Sequence, residues 1–195
     1  MGSREEIVAA AAAVMREQGY ARATTKAIAR TAGYSEALLY KHFRDKTALF
    51  LAVLKEQLPD LIATTQRLTE TAADKTLADN LTELTETALA FYRASFPISV
   101  SIFSSKELLR SHRESLGHGP DVPVARVAGY LAAEAELGRI PRDTDVDAVA
   151  RLLLGACFQE AFFATFEERP PRSDLVHRLV TTIFPAADAS GRTDR

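Results

Sequence analysis

Apolar residues recur along this chain three and four positions apart almost from end to end, the spacing of helices. In TLADNLTELTETALAFYRASF, Leu77, Leu81, Leu84, Ala88 and Phe91 fall on one stripe, and Pro97 predicts its end. The first segment, IVAAAAAVMREQG, is alanine-rich and stops at Gly19, and Ser3 and Glu6 ahead of it have capping-box spacing. Thr24 or Thr25 caps a short second helix, TKAIARTAG, closed by Gly33. Ser35 caps a third, SEALLYKHF, and Asp45 a fourth, KTALFLAVLKEQL, which can run past Pro59 with a kink. Ile7, Ala11, Val14, Ile28, Ala29, Leu39 and Phe43 can make one small core for these helices.

Farther on, ISVSIFSSKELLRSH reads two ways. Ile98, Val100 and Ile102 alternate as a strand would, while the surroundings favour helix. SLGHGPDVP at 115–123 is a turn-rich loop, Pro123 opens VARVAGYLAAEAEL, and Gly138 closes it. Thr144 caps a long helix reaching about Glu168, and Ser173 caps a last one that ends before Pro185. The expectation is an all-α chain: a three-helix head over residues 1–48, a larger helical domain over 49–187, and a frayed polar tail over 188–195.

Composition changes this picture little; charge changes it more. The 195 residues are 47% hydrophobic and 26% charged, an ordinary globular balance. One cysteine, Cys157, excludes an internal disulfide and fits a reducing cytosol; in its apolar segment it reads as an inert buried thiol. MGSREE is too polar for a signal peptide, and Glu6 breaks the myristoylation pattern. The apolar run 152–166 is short for a bilayer and contains Glu160, so a cytoplasmic location is expected. Net charge is −2, but residues 1–56 hold nine Lys/Arg against six Asp/Glu (+3), and 57–195 hold fifteen against twenty (−5). A basic head on an acidic body suggests two jobs.

Two short helices across a tight glycine turn, the second opening on a capping serine, make a helix-turn-helix arrangement. Such a second helix lies in the DNA major groove. Tyr40, Lys41 and His42, side by side near its end, can each donate to phosphate oxygens. Each also has an ordinary structural reading, Tyr40 as a buried tyrosine and Lys46 as a charge near a cap.

TTKAIARTAGYSEALLYKHFRDKTALF resembles the DNA-binding segment of TetR-family repressors, a likeness that covers residues 5–55. The resemblance implies an operator-binding homodimer with an effector-binding body. It implies phosphate contacts from Thr25 and Tyr40 with help from His42, and Lys46 pinning the DNA backbone. Lys26, Glu36 and Ala37 would face bases, beside Ser35 at the cap and Lys41. Family members often carry Gly then Thr where this chain has Ala37 and Leu38, and Glu36 is unusual beside DNA. A carboxylate there can accept from cytosine N4 and repels a misplaced phosphate.

In the body, the segment 144–168 is apolar nearly all round, so one face can serve the core and another a partner subunit. Leu153, Ala156, Glu160 and Ala164, with Leu175, Val176, Leu179, Val180 and Ile183, are the candidate dimer residues of a four-helix interface. Phe91, Tyr92, Phe96, Phe103, Tyr130, Phe158, Gln159 and Phe162 are the candidate lining of an effector pocket for a small hydrophobic or amphipathic molecule. Glu160 reads either as a solvated or interface edge or as a recogniser of a cationic or hydroxylated effector. His112 and His118 near Asp121 lack metal-ligand spacing; no metal or cofactor is expected, and no catalytic triad, phosphate loop or carboxylate dyad stands out. The rival readings are a DNA-binding head whose body docks a protein, and an all-helical enzyme built on an apolar cavity.

Overall fold

Side-chain caps and left-handed residues cut this periodic sequence into its helices. The computed structural model describes residues 2–56, 60–103, 105–116 and 121–185; the expected tail at 188–195 and His118 lie outside them. The helices are α1 Ser3–Arg22, α2 Thr25–Ala32, α3 Glu36–His42, α4 Lys46–Glu56, α5 Leu61–Glu70, α6 Leu77–Phe103, α7 Lys106–Leu116, α8 Val122–Glu136, α9 Val146–Phe166 and α10 Leu175–Ile183, with a 3-10 turn at Ala72–Asp74.

The caps decide several boundaries. The Thr24 hydroxyl accepts from the Ala27 N–H at 3.1 Å, so Thr24 is the cap and Thr25 is free for other work. Asp45 caps α4 through the Ala48 N–H at 2.8 Å. Asp60 caps α5 in the same way from Ala63, so α5 begins afresh rather than continuing α4. Three caps differ from the sequence reading. Gly2, not Ser3, precedes α1, and its N–H donates to Glu5. Asp145, not Thr144, caps α9, while the Thr144 hydroxyl turns back to the Pro141 carbonyl at 2.7 Å. Asp174, not Ser173, precedes α10. At α9 and α10 the capping position stands one residue nearer the helix than Thr144 and Ser173, whereas at α1 it stands one residue before Ser3, which is already helical.

Pro97 does not end α6, which runs on to Phe103. A proline removes one ladder donor, but buried anchors on both sides, Leu89 and Ser95 before it and Ile102 after it, hold the helix. The 98–103 segment is thus helical, and the strand alternative falls. The Gly19 stop does hold locally: its φ of 75° leaves helical geometry inside α1, and the Ala23 N–H closes on the Gly19 carbonyl at 3.1 Å.

Two compact units form, Met1–Leu58 with Ala94–Gly119, and Pro59–Arg93 with Pro120–Arg195. This differs from a cut at residue 48, because the C-terminal part of α6 and α7 belong with the first four helices. Their Ile102 and Leu108 enter the same core as Ile7, Ala11, Val14, Ile28, Ala29, Leu39 and Phe43. Leu49, Phe50 and Val53 of α4 complete that core.

The second unit packs α5 and α9 against α8, over Leu68, Leu81, Leu84, Tyr130, Leu131, Leu153 and Leu154. A polar fork is buried in it. Arg139 donates to both oxygens of the fully buried Glu134, at 2.5 and 2.8 Å, and also to the carbonyls of Ala72 and of Lys75 (2.8 Å). This one guanidinium closes the turn after α5 onto the end of α8. At 21 residues, α9 is the one described helix long and apolar enough to cross a membrane, more than the 152–166 run suggests. Its inner face nevertheless lies in this core.

Arg139→Met strands the Glu134 carboxylate without its partner. We expect a loss of about 3–5 kcal/mol in urea unfolding, and recovery of most of it in Arg139→Met/Glu134→Gln.

Candidate nucleic-acid interface

The sequence TAGYS turns the chain between α2 and α3. Gly33 takes φ 77° and ψ 20°, a left-handed conformation that a side chain would strain. The Gly33 N–H then closes on Arg30 and the Tyr34 N–H on Ala29, at 3.1 and 2.9 Å, which satisfies the end of α2. Two residues later Ser35 caps α3 by accepting from Leu38 at 3.2 Å. Leu39 and Phe43 anchor α3 in the core, and the Tyr34 hydroxyl donates to Glu6 of α1. The consequence is a short helix held by its inner face, with Ala37, Tyr40, Lys41 and His42 exposed.

Thr25, Glu36 and Tyr40 come together at this surface, from the first turn of α2 and one face of α3. The Thr25 hydroxyl donates to Glu36 at 2.5 Å and lies 3.3 Å from the Tyr40 hydroxyl. Tyr40 is 50% exposed, which removes its buried-tyrosine reading. His42 is also exposed, with its Nε2 2.9 Å from the Ser3 hydroxyl at the start of α1. An open groove beside this cluster is lined by Thr24, Lys26, Ala27, Ala29, Arg30, Tyr34 and Glu36. Arg30 was missed in the sequence, though it stands one turn after Lys26 on the same face of α2.

Lys46 also has partners within the chain. Its ammonium donates to the Tyr20 carbonyl, lies 3.5 Å from that of Ala21, and sits 4.2 Å from the Tyr20 ring centre. Partial burial lowers its pKa. Open carbonyls at the end of α1 attract the cation inward, so Lys46 joins α4 to α1.

In the second unit, the two faces of α9 are reversed relative to expectation. Leu153, Glu160 and Ala164, proposed for a subunit interface, are buried in the chain itself, and Ala156 is half-buried. Phe158, Gln159 and Phe162, proposed for a pocket, point outward together with Leu152, Phe163 and Phe166. Glu160 explains the reversal. It accepts from Arg169 at 2.6 Å and from the Arg172 N–H at 2.8 Å, so its carboxylate is paired inside rather than solvated at an edge. Arg169 first, then the Arg172 N–H, hold its pKa below the usual carboxylate value against its desolvation.

The remaining candidates scatter. On α10, Val180 is buried, and Leu175, Leu179 and Ile183 pack half-buried on the core, while Val176 is half-exposed. Tyr130 is sealed in the core at 0% exposure, its hydroxyl facing Glu134 and Asn80. Phe91, Tyr92 and Phe158 form a chain of edge-on rings with centres 5.2 and 5.5 Å apart. Phe96 and the 79%-exposed Phe103 belong to the first unit. Cys157 is buried, and desolvation pushes its thiol up to about 12, as expected of an inert thiol.

Residues 7–53 match the family of bacterial regulatory proteins called tetR. That stretch of the chain is a TetR-family DNA-binding segment. It is 35% identical over 71 residues to the HTH-type transcriptional activator FasR of Mycolicibacterium smegmatis, a match covering 36% of this chain and 32% of that protein. Over 150 residues it is 27% identical to the HTH-type transcriptional repressor AcnR of Corynebacterium efficiens, covering 75% of this chain and 73% of that one. So the chain spans about a third of FasR and about three quarters of AcnR. Its fold is that of the transcriptional regulator FadR of Bacillus subtilis, solved with stearoyl-CoA, at TM-score 0.66 and 18% identity over 97% of this chain and 99% of that one. The TetR segment contains the α2–Gly33–α3 turn and the Thr25, Glu36 and Tyr40 cluster described above.

Because the Glu160 pKa is lowered in the folded chain, its contribution to stability is full above about pH 4.5 and fades as pH falls through the folded value. Glu160→Gln should lose about 1–3 kcal/mol at pH 7, with a deficit that shrinks progressively as pH falls below about 4.5, read by urea unfolding across pH. A deficit independent of pH would mean that packing, not charge, is what the substitution removes.

Proposed function

We propose that this chain is a TetR-type transcriptional repressor that binds a palindromic operator as a homodimer and lets go when a small apolar or amphipathic effector binds its body. The observation that carries the reading is the exposed outer face of α3, fixed by Gly33 and Ser35, with Tyr40 and Thr25 set where groove-flanking phosphates would meet them. Lys26, Lys41 and His42 surround this face, and Lys26, Ser35, Glu36 and Ala37 stand at the ends nearest base edges. Lys46 acts behind them as a structural pin.

The apolar outer stripe of α9, from Leu152 through Phe158, Phe162 and Phe163 to Phe166, supports the homodimer. A row of exposed rings of this extent is a usual mark of an interface, and a two-fold pair of heads about 34 Å apart would read both halves of a palindrome. Val176 and the half-buried Leu179 and Ile183 of α10 would border the same surface. The partner stripe is therefore the outward face, not the Leu153–Ala164 face first considered.

The effector reading rests on the Phe91, Tyr92 and Phe158 rings and on the stearoyl-CoA bound to FadR, a protein of the same fold. A fatty-acyl or similarly long apolar molecule with a polar head suits such lining. The effector would favour a DNA-incompetent conformation by binding it more tightly. The intracellular location follows from the same reading.

Selection from a random duplex pool tests the operator. The wild type should enrich a palindrome whose binding weakens with salt, and Tyr40→Ala should lower its affinity about tenfold on all sequences alike. No enrichment by the wild type would overturn the reading. For the dimer, Phe162→Glu with Phe166→Glu should shift the chain to monomer in sedimentation equilibrium while leaving its helical circular dichroism intact, since both side chains are exposed. An unchanged dimer would remove α9 from the interface.

A further inference from the structure

Glu36 stands beside the two hydroxyls that the proposed function assigns to phosphate, and the inference below rests on that assignment. A threonine hydroxyl has one proton to give. Here that proton goes to the Glu36 carboxylate at 2.5 Å. A carboxylate accepts only, so at the 3.3 Å contact the Tyr40 hydroxyl must be the donor and Thr25 the acceptor. The result is a relay from Tyr40 through Thr25 to Glu36, in which both donors point along the protein surface. Phosphate oxygens need donors, and this arrangement leaves neither hydroxyl aimed outward.

We propose that Glu36 is a built-in competitor of the DNA phosphate. It occupies the Thr25 proton in the free protein and must give it up on binding, so it lowers affinity for DNA in general, and appreciable occupancy then needs other contacts that offset the exchange. The position makes this effective. Glu36 is the first residue of α3 and Thr25 the first of α2, so the relay spans both helices of the motif, and Tyr40 follows Glu36 by one turn on the same face. The carboxylate also adds one negative charge directly beside the expected phosphate, where the repulsion is least screened. Glu36 in this sense sets the general level of DNA affinity through Thr25 on every sequence, rather than reading one base.

The test is a double-substitution cycle on the full chain, with binding read by fluorescence anisotropy on a scrambled-sequence duplex and on the duplex recovered by selection. Glu36→Gln should tighten binding to the scrambled duplex and to the selected duplex alike, by about fivefold, the scale of one charge-assisted hydrogen bond at a surface. Glu17→Gln, which removes an exposed acid elsewhere on α1, should give a smaller change on both. In a Thr25→Val background the Glu36→Gln gain should shrink to the part that charge removal alone supplies, because the contested proton is gone. A gain that persists undiminished with Thr25→Val, or a loss of affinity confined to one base pair of the selected duplex, would overturn the proposal. Failure of the wild type and Thr25→Val alike to bind any duplex would overturn the phosphate assignment itself, and is recognised by appearing without any change at Glu36. Circular dichroism melting of each variant separates these outcomes from loss of fold.

Discussion

The surface of α3 depends on one backbone constraint, the left-handed conformation at Gly33. With that residue reversed, α2 ends within one turn, Tyr34 swings to α1, and Ser35 is left to start α3. Leu39 and Phe43 then lock the helix inward, so its polar residues have nowhere to go but out. The rest of the first unit serves this placement. Arg4 grips Glu56 through two bonds of 2.8 and 2.7 Å, and Lys46 pins α4 to the end of α1, so the frame around α3 is tied at both ends.

The second unit is organised by a different constraint, the need to pair carboxylates inside an apolar core. Glu134 and Glu160 are buried, and each is met by an arginine from the turn that follows its helix, Arg139 and Arg169. Both pairs fix where a helix ends and how the chain leaves it. Removing one partner leaves a charge without compensation, which makes these turns sensitive to single substitutions. The pairing of Glu160 also sets the rotation of α9, and so decides which apolar residues face solvent.

Much of this was legible in the sequence. The glycine stops, the caps at Ser35 and Asp45, the small core of the head and the outward polar face of α3 follow from local rules. These features are set by residues within a few positions of one another. What was not legible lay where a distant partner decides. Lys46 reads as a charge near a cap, and nothing local shows the carbonyls of Tyr20 and Ala21 beside it. Glu160 looks like an interface residue until Arg169 and the Arg172 N–H reach it, and the reversal of α9 follows from that single misplacement. Pro97 looks like a helix end because its own chemistry is local, whereas the packing of α6 on either side is not.

On the proposed function, the outer face of α3 meets phosphates on both sides of a major groove. Neutralising single phosphates of the selected duplex with methylphosphonates, one position at a time, tests it most directly. The account predicts two clusters of sensitive positions related by the operator's symmetry and about one helical turn (~34 Å) apart, with the Tyr40→Ala protein insensitive at one position in each cluster. Uniform affinity whichever phosphate is neutralised would contradict it.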